Sequence, residues 1–95
     1  MNKQELFKNI TTVMLETYRR KNSDYGDSFG ESIKKYGFIS ALTRISDKFN
    51  RLESLLTKNN REVKDESIED TLLDLACYSI MTIIELQDKN DKREL

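Results

Sequence analysis

The sequence predicts an all-α protein: a small bundle of two long antiparallel helices, an N-terminal helix and a short connecting helix. The chain contains no proline, the residue that most readily breaks a helix. Its apolar residues recur at spacings of three and four instead of alternating, as expected for helices that bury one face. Ninety-five residues are enough for a single domain, 1–95, with a modest core.

The first helix is predicted from about Lys3 to Arg20. Its apolar face consists of five residues at helical spacing: Phe7, Ile10, Val13, Met14 and Tyr18. The next segment, Lys21–Ser32, reads KNSDYGDSFGES and holds two of the three glycines. We expect its first half to be a loop, because glycine and aspartate favour turns.

A short second helix is predicted from about Phe29 to Tyr36. Ser28 and Glu31 have the spacing of a capping box, in which each side chain binds a backbone amide of the first turn. Gly37 can adopt the positive φ that commonly ends a helix, so the helix is expected to stop there.

The third helix is predicted from about Phe38 to Thr57 by a heptad-like stripe: Phe38, Leu42, Ile45, Phe49, Leu52 and Leu56.

A loop is expected at Lys58–Asp65, which is polar and without a pattern. Ser67 has the position of an N-cap for the last helix, and the charged segment 88–95 is expected to fray. The last helix is apolar most of the way round. We therefore expect another copy of the chain to cover part of it, which makes the protein a homo-oligomer.

The composition excludes several classes of protein. Sixteen basic and 17 acidic residues give a net charge of -1, so general nucleic-acid binding is not expected. No apolar run approaches the roughly 18 residues of a membrane span, and no signal-peptide core is evident, so we expect a cytoplasmic protein. The absence of histidine and the single Cys77 exclude the usual zinc sites and histidine-assisted nucleophiles. Any metal would be a hard ion on carboxylates, Mg²⁺ or Mn²⁺.

Three acidic residues, Glu66, Asp70 and Asp74, are spaced by four along one face of the last helix. Like charges at this spacing repel, so a compensating cation is expected. A divalent metal or a facing row of basic residues could supply it, whereas a solvated face near a helix N-terminus would need neither. Asp74 is the strongest candidate for a functional role, because it lies among leucines and an alanine, where a carboxylate is rarely left unpaired.

A second cluster, on the third helix, combines three cations with one acid: Arg44, Asp47, Lys48 and Arg51. One interpretation is a surface ion-pair network, which would contribute little to stability. The other is a phosphate site, since arginine offers paired donors to phosphate oxygens.

The segment Lys21–Ser32 offers further candidate residues. Asp24 can be a turn residue and Gly26 can let the backbone approach a ligand closely. Tyr25 could stack on a base.

Three stretches, KNSDYGDSF, RISDKFNRLESLL and ESIEDTLLDLACYSIM, resemble the nucleotide-modification-associated domain 1 family of phages and bacteria. The resemblance covers about residues 21–86. That family is similar to the MazG-like all-α nucleoside triphosphate pyrophosphatases, which hold magnesium on helical acids and release pyrophosphate. It implies a MazG-like bundle completed by oligomerisation. It also implies nucleotide-binding residues Lys21, Asp24, Tyr25, Gly26, Arg44, Lys48 and Arg51, catalytic residues Asp47, Asp70 and Asp74, and metal ligands Glu66, Asp70 and Asp74.

Three functions therefore stay open at this point. The first is a Mg²⁺-dependent nucleoside triphosphate pyrophosphatase in phage or bacterial nucleotide metabolism. The second is a protein that binds and sequesters a nucleotide without chemistry, for example a signalling nucleotide of host defence. It needs only the basic residues and the aromatic segment. The third is an interaction protein whose wide apolar helix pairs with a partner.

Overall fold

The computed structural model describes residues 2–57 and 65–94, apart from the side chains at 25, 65, 66 and 89–94. Every element in these two ranges is an α-helix: α1 Lys3–Tyr25, α2 Ser28–Tyr36, α3 Ile39–Thr57 and α4 Asp65–Glu94. The most extensive packing is between α3 and α4, and α1 and the short α2 lie against this pair. The all-α prediction is confirmed. None of the described helices combines the length and the apolar character that crossing a membrane would require.

The first helix is longer than predicted and includes the residues expected to form a loop. Its N-cap is Asn2, whose side-chain oxygen accepts a hydrogen bond from the Glu5 amide at 2.9 Å. It ends at Gly26, which has φ 68° and donates its amide to the Asn22 carbonyl at 2.9 Å. Positive φ costs little only for glycine, and Gly26 is the first glycine that the chain reaches after the start of α1. The loop prediction for residues 21–25 is therefore wrong.

The second helix begins one residue earlier than predicted. Its cap is Asp27, whose carboxylate accepts a hydrogen bond from the Gly30 amide at 3.1 Å. The Asp27 carbonyl also accepts the Glu31 amide at 3.0 Å. The capping role predicted for Ser28 is thus wrong, because the neighbouring aspartate occupies that position. The predicted end is confirmed: Gly37 has φ 77° and donates to the Ile33 carbonyl at 2.7 Å.

The two long helices differ from their predicted bounds mainly at the start of α4. This helix already includes Asp65, and the Ser67 carbonyl accepts the Thr71 hydroxyl at 2.7 Å within it, so the N-cap role predicted for Ser67 is wrong. The rest of the predicted loop, residues 58–64, lies outside the described residues. The backbone of α4 is helical through Glu94, across most of the segment for which the sequence predicts fraying.

The buried core is small and lies where α2 meets α3 and α4. It consists of Phe29, Ile33 and Ala41, with Phe38, Tyr78 and Met81 packed around it. Many of the residues in the predicted apolar stripes remain exposed. The accessible surface is 7841 Å², against about 5,700 Å² for a compact monomer of this mass. The radius of gyration is 15.6 Å, against about 12 Å for a compact chain of this length.

Candidate functional site

A groove of about 560 Å³ lies between the C-terminal half of α1, the start of α2 and the first half of α4. Its apolar wall is formed by residues of three helices: Val13, Met14, Phe29, Leu73, Tyr78 and Met81. Charged residues of both signs line the remainder: Lys21, Asp27, Arg44, Asp70 and Asp74. Apolar side chains and charges of both signs therefore share the lining of this groove.

Two aromatic rings belong to the apolar lining of the groove. The rings of Phe29 and Tyr78 are nearly parallel, at an angle of 13° and a centroid distance of 5.9 Å. Phe29 is only 4% exposed, so it acts mainly as a core residue that supports the wall. Tyr78 is half-buried and keeps part of its ring available in the groove. A planar ligand would therefore meet Tyr78 more readily than Phe29.

Arg44 places a positive charge against the aromatic residues of the groove. Its guanidinium carbon lies 5.2 Å from the centroid of Phe29 and 6.0 Å from that of Tyr78, within the range of cation–π attraction. One of its nitrogens donates to the Ser32 hydroxyl at 3.4 Å. A guanidinium has five N–H donors in its plane, so stacking on its face and one bond to serine are compatible with binding an oxyanion.

An ion pair crosses from α3 to α4 beside the groove. The Lys48 ammonium lies 2.9 Å from the Asp74 carboxylate, and both side chains are partly exposed. Asp70 lies one helical turn before Asp74 on the same side of α4 and is more exposed. Within residues 2–57 and 65–94, no three His, Cys, Asp or Glu side chains are grouped as a metal site would require.

The structure brings together five of the residues that the sequence singles out. The five line the groove: Lys21, Gly26, Arg44, Asp70 and Asp74. Lys48 reaches it through the ion pair with Asp74. Three others are exposed and stand outside the groove lining as far as the structure describes it: Asp24, Asp47 and Arg51. The side chains of Tyr25 and Glu66 lie outside the described part of the chain, so their roles stay predictions.

Some groove residues were not predicted from the sequence as functional. Met14, Asn22 and Cys77 line the cleft, although the pattern places Met14 on the apolar face of the first helix. Cys77 lies three residues after Asp74, so helical spacing alone could have put both on one side of α4. Burial raises the pKa of the Cys77 thiol; the nearby Asp74 carboxylate raises it further, while Lys21 lowers it. Cys77, Asp74 and Lys21 line the same groove.

The fold and the groove define a class: a small all-α protein with a cleft lined by apolar side chains and charges of both signs. The family model that describes nucleotide modification associated domain 1 matches residues 21–86. The chain belongs to that family. The match begins in the last turn of α1 and runs through α2 and α3 into α4, so it covers most of the groove. No curated protein and no solved structure shows significant similarity to the chain.

Proposed function

We propose that this protein binds a nucleoside triphosphate in the groove and, with Mg²⁺, hydrolyses it to a monophosphate and pyrophosphate. The observation that carries the proposal is a cleft whose lining combines apolar and aromatic side chains with cations and carboxylates. A nucleotide combines the groups that such a lining can contact, a flat base and charged phosphates. Membership of a family associated with nucleotide modification supports the same class of ligand.

The base would lie on the apolar wall. Ligand pockets usually have volumes of about 300–1,000 Å³, and the groove of about 560 Å³ falls within that range. Tyr78 offers a partly exposed ring, and Leu73 and Met81 extend the apolar surface beside it. Stacking on an aromatic ring tolerates any base, so this wall would supply affinity more than selectivity.

The phosphates would lie toward the cations. Lys21 on α1 and Arg44 on α3 line the same groove from different helices, so they can contact one polyphosphate from two directions. Arginine binds phosphate oxygens through paired donors, and lysine adds a compact positive charge. Both groups would neutralise the negative charge that develops on the leaving pyrophosphate.

Asp70 and Asp74 would hold the metal ion together with the phosphates. Mg²⁺ is commonly bound by one or two protein carboxylates and by substrate phosphates, so a pair of aspartates one turn apart fits this ion; Mn²⁺ accepts similar ligands. When bound, the ion would neutralise phosphate charge and activate water. The water oxygen would add to the α-phosphorus, the bond to the bridging oxygen would break, and pyrophosphate would leave.

We propose that this activity takes place in a bacterial cytoplasm, including that of a phage-infected cell, and that the protein acts as a homo-oligomer. The test is to incubate the protein with common and modified deoxynucleoside triphosphates and Mg²⁺, and to measure pyrophosphate release. Turnover of at least one nucleotide is expected. Binding without turnover of any of them would overturn the hydrolytic part of the proposal.

A second candidate function is sequestration of a nucleotide without hydrolysis. The observation that favours it is the Lys48–Asp74 ion pair, because it gives Asp74 a cation without a metal. Binding that is unaffected by EDTA, followed by recovery of the intact nucleotide, would support sequestration. Loss of binding in EDTA, or recovery of a monophosphate, would support the metal-dependent enzyme.

A further inference from the structure

The third helix carries a row of exposed apolar residues with a strict seven-residue repeat. Leu42, Phe49 and Leu56 are 58%, 55% and 61% exposed. Seven residues make about two helical turns, so the three side chains lie above one another along α3. The stripe residues between them, Ile45 and Leu52, are half-buried. A heptad repeat of this kind is the pattern of a seam between packed helices, and here one side of the seam is uncovered.

The fourth helix has an uncovered apolar face as well. Leu72, Ile83 and Leu86 are each about half exposed. From Leu72 to Leu86 the positions on and beside this face are uncharged, and the exposed Glu69 lies one turn before them. These positions are Leu72, Leu75, Ala76, Ser79, Thr82, Ile83 and Leu86. An exposed charge-free strip of this length on a helix is unusual for a surface that remains in contact with water.

The two apolar faces lie on the same side of the α3–α4 pair, away from the groove. Arg44 lies over Tyr78 and Lys48 pairs with Asp74, so the helices are antiparallel and these residues mark the groove side. On α4, Ile83 is nine residues from Asp74, about two and a half turns, and therefore points to the opposite side. On α3, Leu42 is two residues from Arg44, about 200° around the helix.

We propose that a second copy of this chain packs on this surface, so that α3 and α4 of the two copies form a four-helix bundle. The surface area of the chain argues for a second copy. The 7841 Å² of each chain exceed the value for a compact monomer by about 2,100 Å², which is about 4,300 Å² for two copies. Permanent homodimers bury about 2,000–5,000 Å² in total over both chains. A two-fold dimer pairs the same patch on both chains, which suits a face that is apolar across two helices.

A net charge of -1 per chain also opposes association very little. The proposal does not depend on the nucleotide, because the surface lies on the other side of the α3–α4 pair from the groove.

Light scattering after size exclusion tests the proposal. The wild type is expected at twice the chain mass of 11.2 kDa, at micromolar concentration and without nucleotide. Phe49→Glu and Ile83→Glu place a charge in the proposed interface and should each raise the dissociation constant at least a hundredfold. Phe7→Glu is the matched control, since Phe7 is an exposed aromatic residue on α1, and it should leave the dimer intact.

A monomeric wild type would overturn the proposal. So would a dimer that Phe7→Glu dissociates while Phe49→Glu leaves it intact, which would assign the interface to α1. If the glutamate variants lose their helical circular dichroism, they do not fold, and cross-linking then tests the proposed interface instead. In a Cys77→Ser background, Phe49→Cys chains should be joined into dimers by a short bis-maleimide, and Phe7→Cys chains should not. The reverse pattern, or no cross-linking of either, would contradict the proposed surface.

Discussion

The ammonium of Lys48 and the carboxylate of Asp74 form a 2.9 Å ion pair that joins α3 to α4 beside the groove. Their side chains are 29% and 41% exposed, so water and salt screen the attraction. Such a pair contributes little to the free energy of unfolding. Its larger effect is on the charge of the groove, because Asp74 lines the cleft and Lys48 offsets its negative charge.

Replacing Lys48 should therefore weaken the binding of a nucleotide more than it weakens the fold. In Lys48→Met the Asp74 carboxylate has no lysine beside it and repels phosphate. We expect affinity to fall about five- to tenfold at low salt, since unit charges about 4 Å apart interact by about 1 kcal/mol in water. The free energy of unfolding should fall by less than about 1 kcal/mol. Calorimetric titration and urea unfolding measure the two effects.

The control for this variant is Lys35→Met, which removes an exposed lysine of α2 outside the groove lining. It should leave affinity nearly unchanged. Equal losses of affinity in the two variants would mean that only the total charge of the protein matters. The local role of the Lys48–Asp74 pair would then be wrong.

Asp74→Asn should separate the proposed hydrolysis from the proposed binding of the nucleotide. The amide keeps the size of the side chain but removes the charge that would hold Mg²⁺. Pyrophosphate release should fall at least a hundredfold, while metal-free binding of the nucleotide should be retained or become tighter. Glu69→Gln is the matched control, because Glu69 is an exposed acid on the same helix outside the groove lining. Equal turnover in both variants would remove Asp74 from the proposed metal site.

Helical periodicity in the sequence was sufficient to predict the four helices. It left a facing basic residue open as one possible partner of the α4 acids, and the structure shows Lys48 in that role for Asp74. It could not predict that Arg44 would stack over Phe29 and Tyr78, because that contact depends on how α2 packs on the long helices. The predicted end of α1, near Arg20, was wrong because the residues that follow do not mark a boundary. Lysine, asparagine, serine and aspartate are all tolerated in a last helical turn, so only Gly26 marks the boundary.

The start of α2 shows a different limit of prediction from the sequence. Two good capping residues, Asp27 and Ser28, are adjacent, and the capping-box spacing favours the wrong one. In the structure the Asp27 carboxylate caps the Gly30 amide. Asp27→Ala should lower the free energy of unfolding by about 1 kcal/mol, whereas Ser28→Ala should change it by less than half as much. Thermal or urea unfolding of the two variants tests this; a larger loss in Ser28→Ala would restore the sequence-based assignment.

Arg44→Lys tests whether the planar guanidinium is needed. Lysine keeps the positive charge but cannot stack flat on the rings of Phe29 and Tyr78 while donating to Ser32. We expect the free energy of unfolding to fall by about 1 kcal/mol, since cation–π contacts of this kind contribute about 0.5–1 kcal/mol each. Nucleotide affinity should fall as well. Arg51→Lys, at an exposed position outside the groove lining, should leave stability unchanged. Equal stability of both variants would mean that the stacking contributes nothing.

Cys77 reports on the groove without requiring any turnover. Burial and the Asp74 carboxylate raise the pKa of its thiol above the ordinary value, so at pH 8 little of the reactive thiolate is present. Alkylation by iodoacetamide should be slower than at an exposed thiol, introduced as Thr11→Cys in a Cys77→Ser background. Mass spectrometry across pH 7–10 measures both rates.

Two substitutions test how the neighbouring charges change the pKa of the Cys77 thiol. Asp74→Asn removes a negative charge that disfavours the thiolate, so it should lower the pKa of Cys77 and speed alkylation at pH 8. Lys21→Met removes a positive charge that favours the thiolate, so it should raise the pKa and slow the reaction. A nucleotide bound in the groove should protect Cys77 in the wild type, because this residue lines the cleft. Unchanged alkylation at saturating nucleotide would place the ligand elsewhere on the protein.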